Sequence, residues 1–301
     1  LTFQVTILGS GSATPTLVRN PTAQVLCHEN DYFLIDCGEG TQLQLLRYKL
    51  RPGRLRGIFI SHLHGDHYFG LIGLLTSLSL GQRQDELKLF GPPGLLEILS
   101  LQLKYSDARL TYPLDFHEIG SPEPALIFEN HHLQVRTVPL RHRIHCTGFV
   151  FEEKPRKRSL IRERLPAELT HDQIRALKDG LDVQFGDRTY ANAELTTDPP
   201  APRSYAFCSD TIFHEALADY VRGVDLLYHE ATFGNELLSR AEKTFHSTAR
   251  QAAQLAQLAE AKALLIGHFS SRYRDVTPLL REAQAVFPNT RLAEEGETFD
   301  V

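Results

Sequence analysis

Apolar residues fall in short blocks along the first hundred positions, each closed by glycine, proline or a small polar residue. Residues 2–8, 23–27, 32–35 and 57–60 read as strands on this pattern, with the glycine-rich stretch from Gly9 to Thr14 as a turn after the first. Residues 41–48 read as a helix in which Leu43, Leu46 and Leu50, at i, i+3 and i+7, supply one apolar face. A second helix is predicted over 69–80, a strand over 86–90, and a further helix from the Gly91-Pro92-Pro93-Gly94 turn to about 103. Strands follow at 125–128, 132–138, 147–152, 204–208, 226–228 and 263–266. Helices are expected from 249, where Thr248 and Gln251 make a capping box, and over 278–286. Strand-rich segments followed by alternating helix and strand in both halves predict an α/β fold of two mixed sheets, packed face to face with helices outside. A doubly wound dinucleotide fold is the structural rival.

The pattern breaks between 153 and 202. There the chain becomes charged, loses clean periodicity and ends in Pro199-Pro200-Ala201-Pro202, so the segment reads as an insertion standing off the core.

At 301 residues and 42% hydrophobic, the chain is long enough to bury a full core. No stretch approaches the apolar length of a membrane span, and the first residues lack the layout of a signal peptide, so the chain reads as cytoplasmic with no membrane partner. It opens at Leu1 and holds no Met, and an initiator or short leader is expected to precede it. Cys27, Cys37, Cys146 and Cys208 are widely spaced in or beside apolar runs, which predicts free buried thiols. The formal charge of −5 advertises no nucleic-acid partner globally. Locally, KPRKRSLIRER at 154–164 and the cluster Arg47, Lys49, Arg51, Arg54 and Arg56 are basic enough to contact phosphates.

The densest chemistry is His62-Leu63-His64-Gly65-Asp66-His67, directly after the apolar run 57–60. In extended chain His62 and His64 point the same way, and Gly65 allows the turn that swings Asp66 and His67 toward a neighbouring ion. A single zinc needs only three protein ligands, so four candidates within six residues predict two ions. The remaining ligands are sought at other strand ends. His142 follows one strand, with His145 as its competitor; Asp210 follows another and has a carboxylate able to bridge; His268 follows a third. Two divalent cations set against Asp66, Asp210 and a hydroxide leave one positive charge for an anionic phosphodiester. Asp36, also at a strand end, is placed to accept from the free ring nitrogen of a ligand histidine. Gly9-Ser10-Gly11-Ser12-Ala13-Thr14 imitates a dinucleotide fingerprint, but Thr14 replaces the third glycine and Pro15 stands where the helix would begin, so it reads as a turn lining the cleft. His246 lies just outside the capped helix, where the dipole disfavours imidazolium, and Glu230 is the carboxylate expected to offset that effect.

These pieces resemble the ribonuclease Z family of transfer RNA 3'-processing endonucleases, in its short form within the metallo-β-lactamase superfamily. The resemblance runs through LGSGSATPT at 8–16, RNPT at 19–22, FLIDCGEGTQ at 33–42, ISHLHGDH at 60–67 and GPPG at 91–94. It continues through LRH at 140–142, GF at 148–149, YAFCSDT at 205–211, HEATF at 229–233, HST at 246–248 and GHFSSRY at 267–273. It implies one αββα sandwich over 1–301, with a protruding substrate-gripping arm at 154–198. By the same resemblance His62, His64 and His142 bind one zinc, Asp66, His67 and His268 the other, and Asp210 bridges. Asp66 doubles as proton acceptor for the attacking water, and His246 with Glu230 assists the leaving oxygen. Zinc is part of this implication; nitrogen and oxygen ligands also accept manganese or iron. The arm departs from the common bacterial pattern, with Lys154-Pro155-Arg156-Lys157-Arg158 and Leu165-Pro166-Ala167 in place of a glycine-proline-rich segment.

The function so implied is zinc-dependent removal of the 3' trailer from precursor transfer RNA after the discriminator base, by a homodimer with no use for DNA. It would leave a 3'-hydroxyl on the transfer RNA and a 5'-phosphate on the trailer. Two other classes stay open on the residues alone. A hydrolase of a small ester, thioester or lactam would not need the basic insertion, and a nonenzymatic RNA-binding protein would not need a double-metal site.

Overall fold

The computed structural model describes residues 2–166 and 168–301; Leu1 and Ala167 lie outside the described residues. Strands β1 (Phe3–Gly9), β2 (Ala23–His28), β3 (Asp31–Ile35), β4 (Leu55–Phe59), β5 (Leu87–Gly91) and β6 (Leu114–Glu118) lie side by side in that order. Strands β7 (Leu126–Glu129), β8 (Leu133–Pro139) and β9 (Thr147–Glu153) begin a second sheet, and the insertion that follows holds β10 (Ser159–Leu160), β11 (Val183–Phe185), β12 (Arg188–Tyr190) and β13 (Thr196–Thr197). The second sheet resumes with β14 (Ser204–Cys208), β15 (Leu226–Glu230), β16 (Ala263–Gly267) and β17 (Thr290–Leu292), in the spatial order β17-β16-β15-β14-β9-β8-β7. The last strand, β18 (Thr298–Asp300), returns to pair with β1 and completes seven strands in the first sheet as well.

Each sheet is parallel on one side and antiparallel on the other: β3 to β6 and β14 to β17 run parallel. Parallel strands need crossovers, and these supply the outer layers. Helices α1 (Thr41–Arg47), α2 (Gly65–Tyr68), α3 (Leu71–Leu80) and α4 (Leu95–Tyr105) belong to the first sheet's connections. The insertion contributes α5 (His171–Lys178) and α6 (Asn192–Leu195); α7 (Leu217–Tyr220), α8 (Leu238–Thr244), α9 (Ala249–Leu258) and α10 (Thr277–Gln284) belong to the second half. Leu45, Leu71, Leu74, Leu75, Leu95 and Leu99 pack on the first sheet, and the alanine-rich face of α9 packs with Leu217 and Leu279 on the second. Between the sheets lies an aromatic core. Phe59 stacks on Phe90 at 4.6 Å and meets Phe149 and Phe151 of the opposite sheet edge-on at 5.4 and 5.2 Å. Each such fully buried ring contributes roughly 1.5–3 kcal/mol, so the two sheets are held in fixed relation at the point where β4 delivers its carboxyl end. Among the described residues no helix is long and apolar enough to cross a membrane.

Two expectations need correction. The face of α1 expected to be buried is exposed: Leu43 and Leu46 are 64% and 68% exposed, whereas Thr41, Gln44 and Leu45 are buried. Polar anchors set that rotation, because the Gln44 amide donates to the Leu8 carbonyl at 2.8 Å and to Glu295 at 3.0 Å. The helix expected over 69–80 is α3 and starts two residues later, and a separate short helix that was not expected, α2, precedes it; the two are divided at Phe69-Gly70. There the chain is pinned against the end of β3: the Gly70 N–H donates to the Cys37 carbonyl at 2.9 Å, and a Cβ on Gly70 would stand 2.1 Å from the Gly38 carbonyl oxygen.

Among the described residues the strands of the insertion pair only with one another. β10 joins β13, β11 joins β12, and Leu177, Val183 and Leu195 are the buried members of a small separate core. Its two roots are clasped by Glu153 at the end of β9, which accepts from the Arg203 guanidinium at 3.0 and 2.9 Å and from the Arg203 N–H at 3.1 Å; His28 lies 3.1 Å away.

Candidate metal centre

Every residue of the site follows the carboxyl end of a strand or precedes a helix, where side chains can converge without breaking a ladder. His62 stands three residues beyond β4, His142 three beyond β8, Asp210 two beyond β14, and His268 directly after β16. Gly38, three residues beyond β3, lets the chain pass under the metal loop: an added Cβ would stand 2.5 Å from the Asp66 carbonyl oxygen.

The ligand atoms form two groups sharing one carboxylate. In the first, His62 Nε2 lies 3.0 Å from His64 Nδ1, His142 Nε2 lies 3.2 Å from the same atom, and Asp210 Oδ2 stands 3.6 and 3.7 Å from His62 and His142. In the second, Asp66 Oδ2 is 3.4 Å from both His67 Nε2 and His268 Nε2, while Asp210 Oδ1 is 3.4 and 3.2 Å from the same two nitrogens. Donors at zinc bond lengths in a tetrahedron stand roughly 3.4 Å apart, so both groups have the edge length that one ion requires. Asp210 offers one oxygen to each. His67 Nε2 and Asp210 Oδ1 are buried and have no hydrogen-bond partner among the described residues, which an ion between them would supply. These residues fit a metal centre.

The outward ring nitrogens are held in turn. His67 Nδ1 lies 2.7 Å from Asp36 Oδ2, His142 Nδ1 donates to the Phe245 carbonyl at 2.9 Å, and His268 Nδ1 meets the Thr232 hydroxyl at 2.9 Å. Ser61 bonds Asp36 through both its N–H, at 2.8 Å, and its hydroxyl, at 2.9 Å, and places that hydroxyl 3.0 Å from His62 Nδ1. Such contacts fix the tautomer that presents a lone pair inward. Asp66 is steered by a backbone group, the Ala13 N–H donating to Oδ2 at 2.7 Å from a residue at φ 56°.

Burial lowers the proton affinity of His62, His64 and His142, leaving them neutral and able to donate lone pairs. His67 goes the other way. Burial would strip its proton, but the charges of Asp66, Asp210 and Asp36 hold it well above the ordinary range. A cation bound there would take the place of that proton. Burial also opposes the charges of Asp66 and Asp210, yet the surrounding histidines keep both far below the usual carboxylate range.

Beside the two groups, His246 Nδ1 lies 2.9 Å from Glu230 Oε1, and Thr232 bonds Glu230 Oε2 through both its N–H, at 3.1 Å, and its hydroxyl, at 2.7 Å. Burial works against a charged His246, but the Glu230 and Asp210 carboxylates outweigh it and raise its value to about 9. The ordered helix cap expected from Thr248 and Gln251 is present, with both of its reciprocal bonds. His64, Asp66, Asp210, His246, His268 and Arg143 open on a cavity of about 420 Å³ that Ser12 and Ala13 of the glycine-rich turn also line.

Every residue singled out from the sequence for the metal centre and the His246–Glu230 pair is thus brought to one place, except the competitor His145. That side chain lies 3.3 Å from the Thr147 hydroxyl and lines a neighbouring cavity. Sequence reasoning assigned no role to Ser61, Thr232 or the Ala13 amide. Ser61 and Thr232 carried a signal, being small hydroxyl residues directly beside His62 and two beyond Glu230.

Residues 3–158 match the family model described as Anti-Pycsar protein Apyc1, a span that includes His62 to His67 and His142 but ends before Asp210. Relatives match over the whole length. The chain is 49% identical to a ribonuclease Z of Cytophaga hutchinsonii, across 99% of this chain and 96% of that one, and 45% identical to a ribonuclease Z of Bacteroides fragilis, across 98% and 97%. The solved structure of human tRNase Z, short form, superposes with a TM-score of 0.74 at 28% identity, covering 99% of both chains. A metallo-β-lactamase fold protein of Bacillus subtilis, at 16% identity and a TM-score of 0.70, shares the fold. With its first half answering to the Apyc1 model and its full length to these relatives, the chain belongs to the ribonuclease Z family of metal-dependent hydrolases on the metallo-β-lactamase fold.

Proposed function

We propose that this chain is an endoribonuclease that removes the 3' trailer of precursor transfer RNA after the discriminator base, leaving a 3'-hydroxyl on the transfer RNA and a 5'-phosphate on the trailer. The observation that carries the reading is the pair of ligand groups sharing Asp210 beside the His246–Glu230 pair. His62, His64 and His142 would hold one zinc, Asp66, His67 and His268 a second, and Asp210 would be a ligand in both groups. Metal ions, when bound, would supply Lewis-acid polarisation of the phosphoryl oxygens and a lowered pKa for a water nucleophile. Asp66, oriented by the Ala13 N–H, accepts the proton of that water. His246, fixed through Nδ1 on Glu230, delivers a proton from Nε2 to the departing 3'-oxygen.

The working assembly is a homodimer in which the arm of one copy grips RNA presented to the other. Support for a second copy comes from Leu43 and Leu46, exposed above a cavity that Pro52, Leu74 and Leu78 complete. The basic run of the arm is largely neutralised within the chain: Lys154 pairs with Glu129, Arg156 with Glu29, Lys157 with Asp179 and Arg158 with Asp198. Exposed pairs of this kind are worth about 0–1 kcal/mol, so RNA phosphates can replace the carboxylates at small cost. Arg162 is exposed and makes no ion pair with any described residue.

The test is to incubate metal-loaded protein with a 3'-extended precursor and map the ends. A single cut after the discriminator base is expected from wild type and none from Asp66→Ala. An intact precursor with both proteins overturns the reading.

A further inference from the structure

A second cavity, of about 310 Å³, adjoins the catalytic one beneath the loop 140–147. The loop is pinned on both sides: the Arg141 N–H donates to the Thr211 hydroxyl at 3.0 Å, the Ile212 N–H to the Arg141 carbonyl at 2.9 Å, and the Thr147 N–H to the Ser61 carbonyl at 3.0 Å. His142 is a member of the first ligand group and also lines this cavity. Arg143 lines both cavities. It is exposed and makes no hydrogen bond or ion pair with any described residue, unlike the paired arginines of the arm.

We propose that this cavity is a nucleobase subsite for the nucleotide whose 3'-oxygen leaves, with Arg143 on its rim holding an adjoining phosphate. The inference rests on the endoribonuclease reading above. The volume sits at the small end of the range for ligand sites, roughly 300–1,000 Å³, as a single nucleotide requires. Pro139, Leu140 and Ile144 offer apolar contact to a ring, while Ser121, Glu123 and His145 offer polar groups to its edges. Unstacked RNA bases are held in this way, on arginine or imidazole planes and through their edges. The side of the bond follows from His142. Its ring lies 5.1 Å from that of His246, and it bonds the carbonyl of Phe245, so the cavity lies on the flank where the leaving oxygen takes its proton.

Steady-state cleavage is measured on an intact precursor and on the same RNA with an abasic ribose at the discriminator position, by wild type, Ser121→Trp and Arg143→Ala. Wild type is expected to show a KM about ten-fold higher on the abasic RNA, the scale of one lost base contact. Ser121→Trp, which fills the cavity from an exposed position, is expected to treat both RNAs alike. Arg143→Ala raises KM on both and lowers the slope of log KM against log salt by about one, and Arg143→Lys restores the slope. Equal KM values for the two RNAs with wild type overturn the subsite even if a variant fails to fold, and an unchanged salt slope in Arg143→Ala overturns the role of the arginine. If wild type leaves the intact precursor uncut, it is the endoribonuclease reading that fails.

Discussion

The metal centre and the inserted arm are built on opposite principles. Around the metals almost every donor has a second contact, and the site stands on two sheets locked by an aromatic core. The arm has a core of three buried side chains, two two-stranded sheets, and nine basic against eight acidic residues over 154–198. Ligand atoms must sit within tenths of an ångström of their places, which only buried, doubly held side chains can do. Charge reaches a phosphate over a Debye length of about 8–10 Å, so a soft scaffold would suffice for the phosphate contacts proposed for the arm.

Substitutions should separate the two regions by size and by kinetic parameter. Asp210→Ala removes an oxygen from both ligand groups at once and should lower kcat/KM on the order of 1,000-fold or more, with bound metal per chain falling by direct metal analysis. His246→Ala should cost about 100- to 1,000-fold in kcat, the scale of general acid catalysis. Because His246 keeps its proton to about 9, wild-type kcat should fall as pH rises past that value, and Glu230→Gln should move the fall to lower pH. The same proton stabilises the fold fully below 6.5, and that contribution disappears as pH climbs through about 9. Asp36→Asn weakens the hold on His67 and should reduce metal affinity or activity about 10- to 100-fold.

On the arm side, removing the charges of 154–164 should raise KM for precursor RNA about ten-fold and leave hydrolysis of a small phosphodiester intact. A fall in kcat on the small substrate would mean that the arm also organises the metal centre. The smallest effect is on stability. Burial opposes the Glu153 charge, but the Arg203 and His28 hydrogen bonds bring its value to about 2. Its contribution is therefore present above 4.5 and lost as pH falls toward 2, and Glu153→Gln should destabilise by about 2 kcal/mol at neutral pH. Equal melting temperatures for Glu153→Gln and wild type would show that the clasp does not couple arm to core.

Much of the site was legible because its residues are tied to local pattern. The His62–His67 cluster is contiguous, and His142, Asp210 and His268 each follow a segment whose pattern reads as a strand. Local pattern alone left His142 and His145 open, since both follow the same strand and a loop decides which one turns inward; the family resemblance is what named His142. The edge strands β6, β17 and β18 went unread because they are short and mixed in polarity. The arm hairpin β11–β12 turns through Gly186-Asp187, a two-residue signal that was available but lay in a charged stretch.

Local chemistry written into the chain determines which side chains can bind metal, which helices are capped and where strands end. Those choices depend on neighbours a few residues away, where periodicity and steric limits act directly. Tertiary structure alone decided the rotation that exposes Leu43 and Leu46 and the neutralised charges of the arm. Each depends on atoms brought together from distant positions, where the balance of burial, hydrogen bonding and charge is set only once both sheets have closed on their common core.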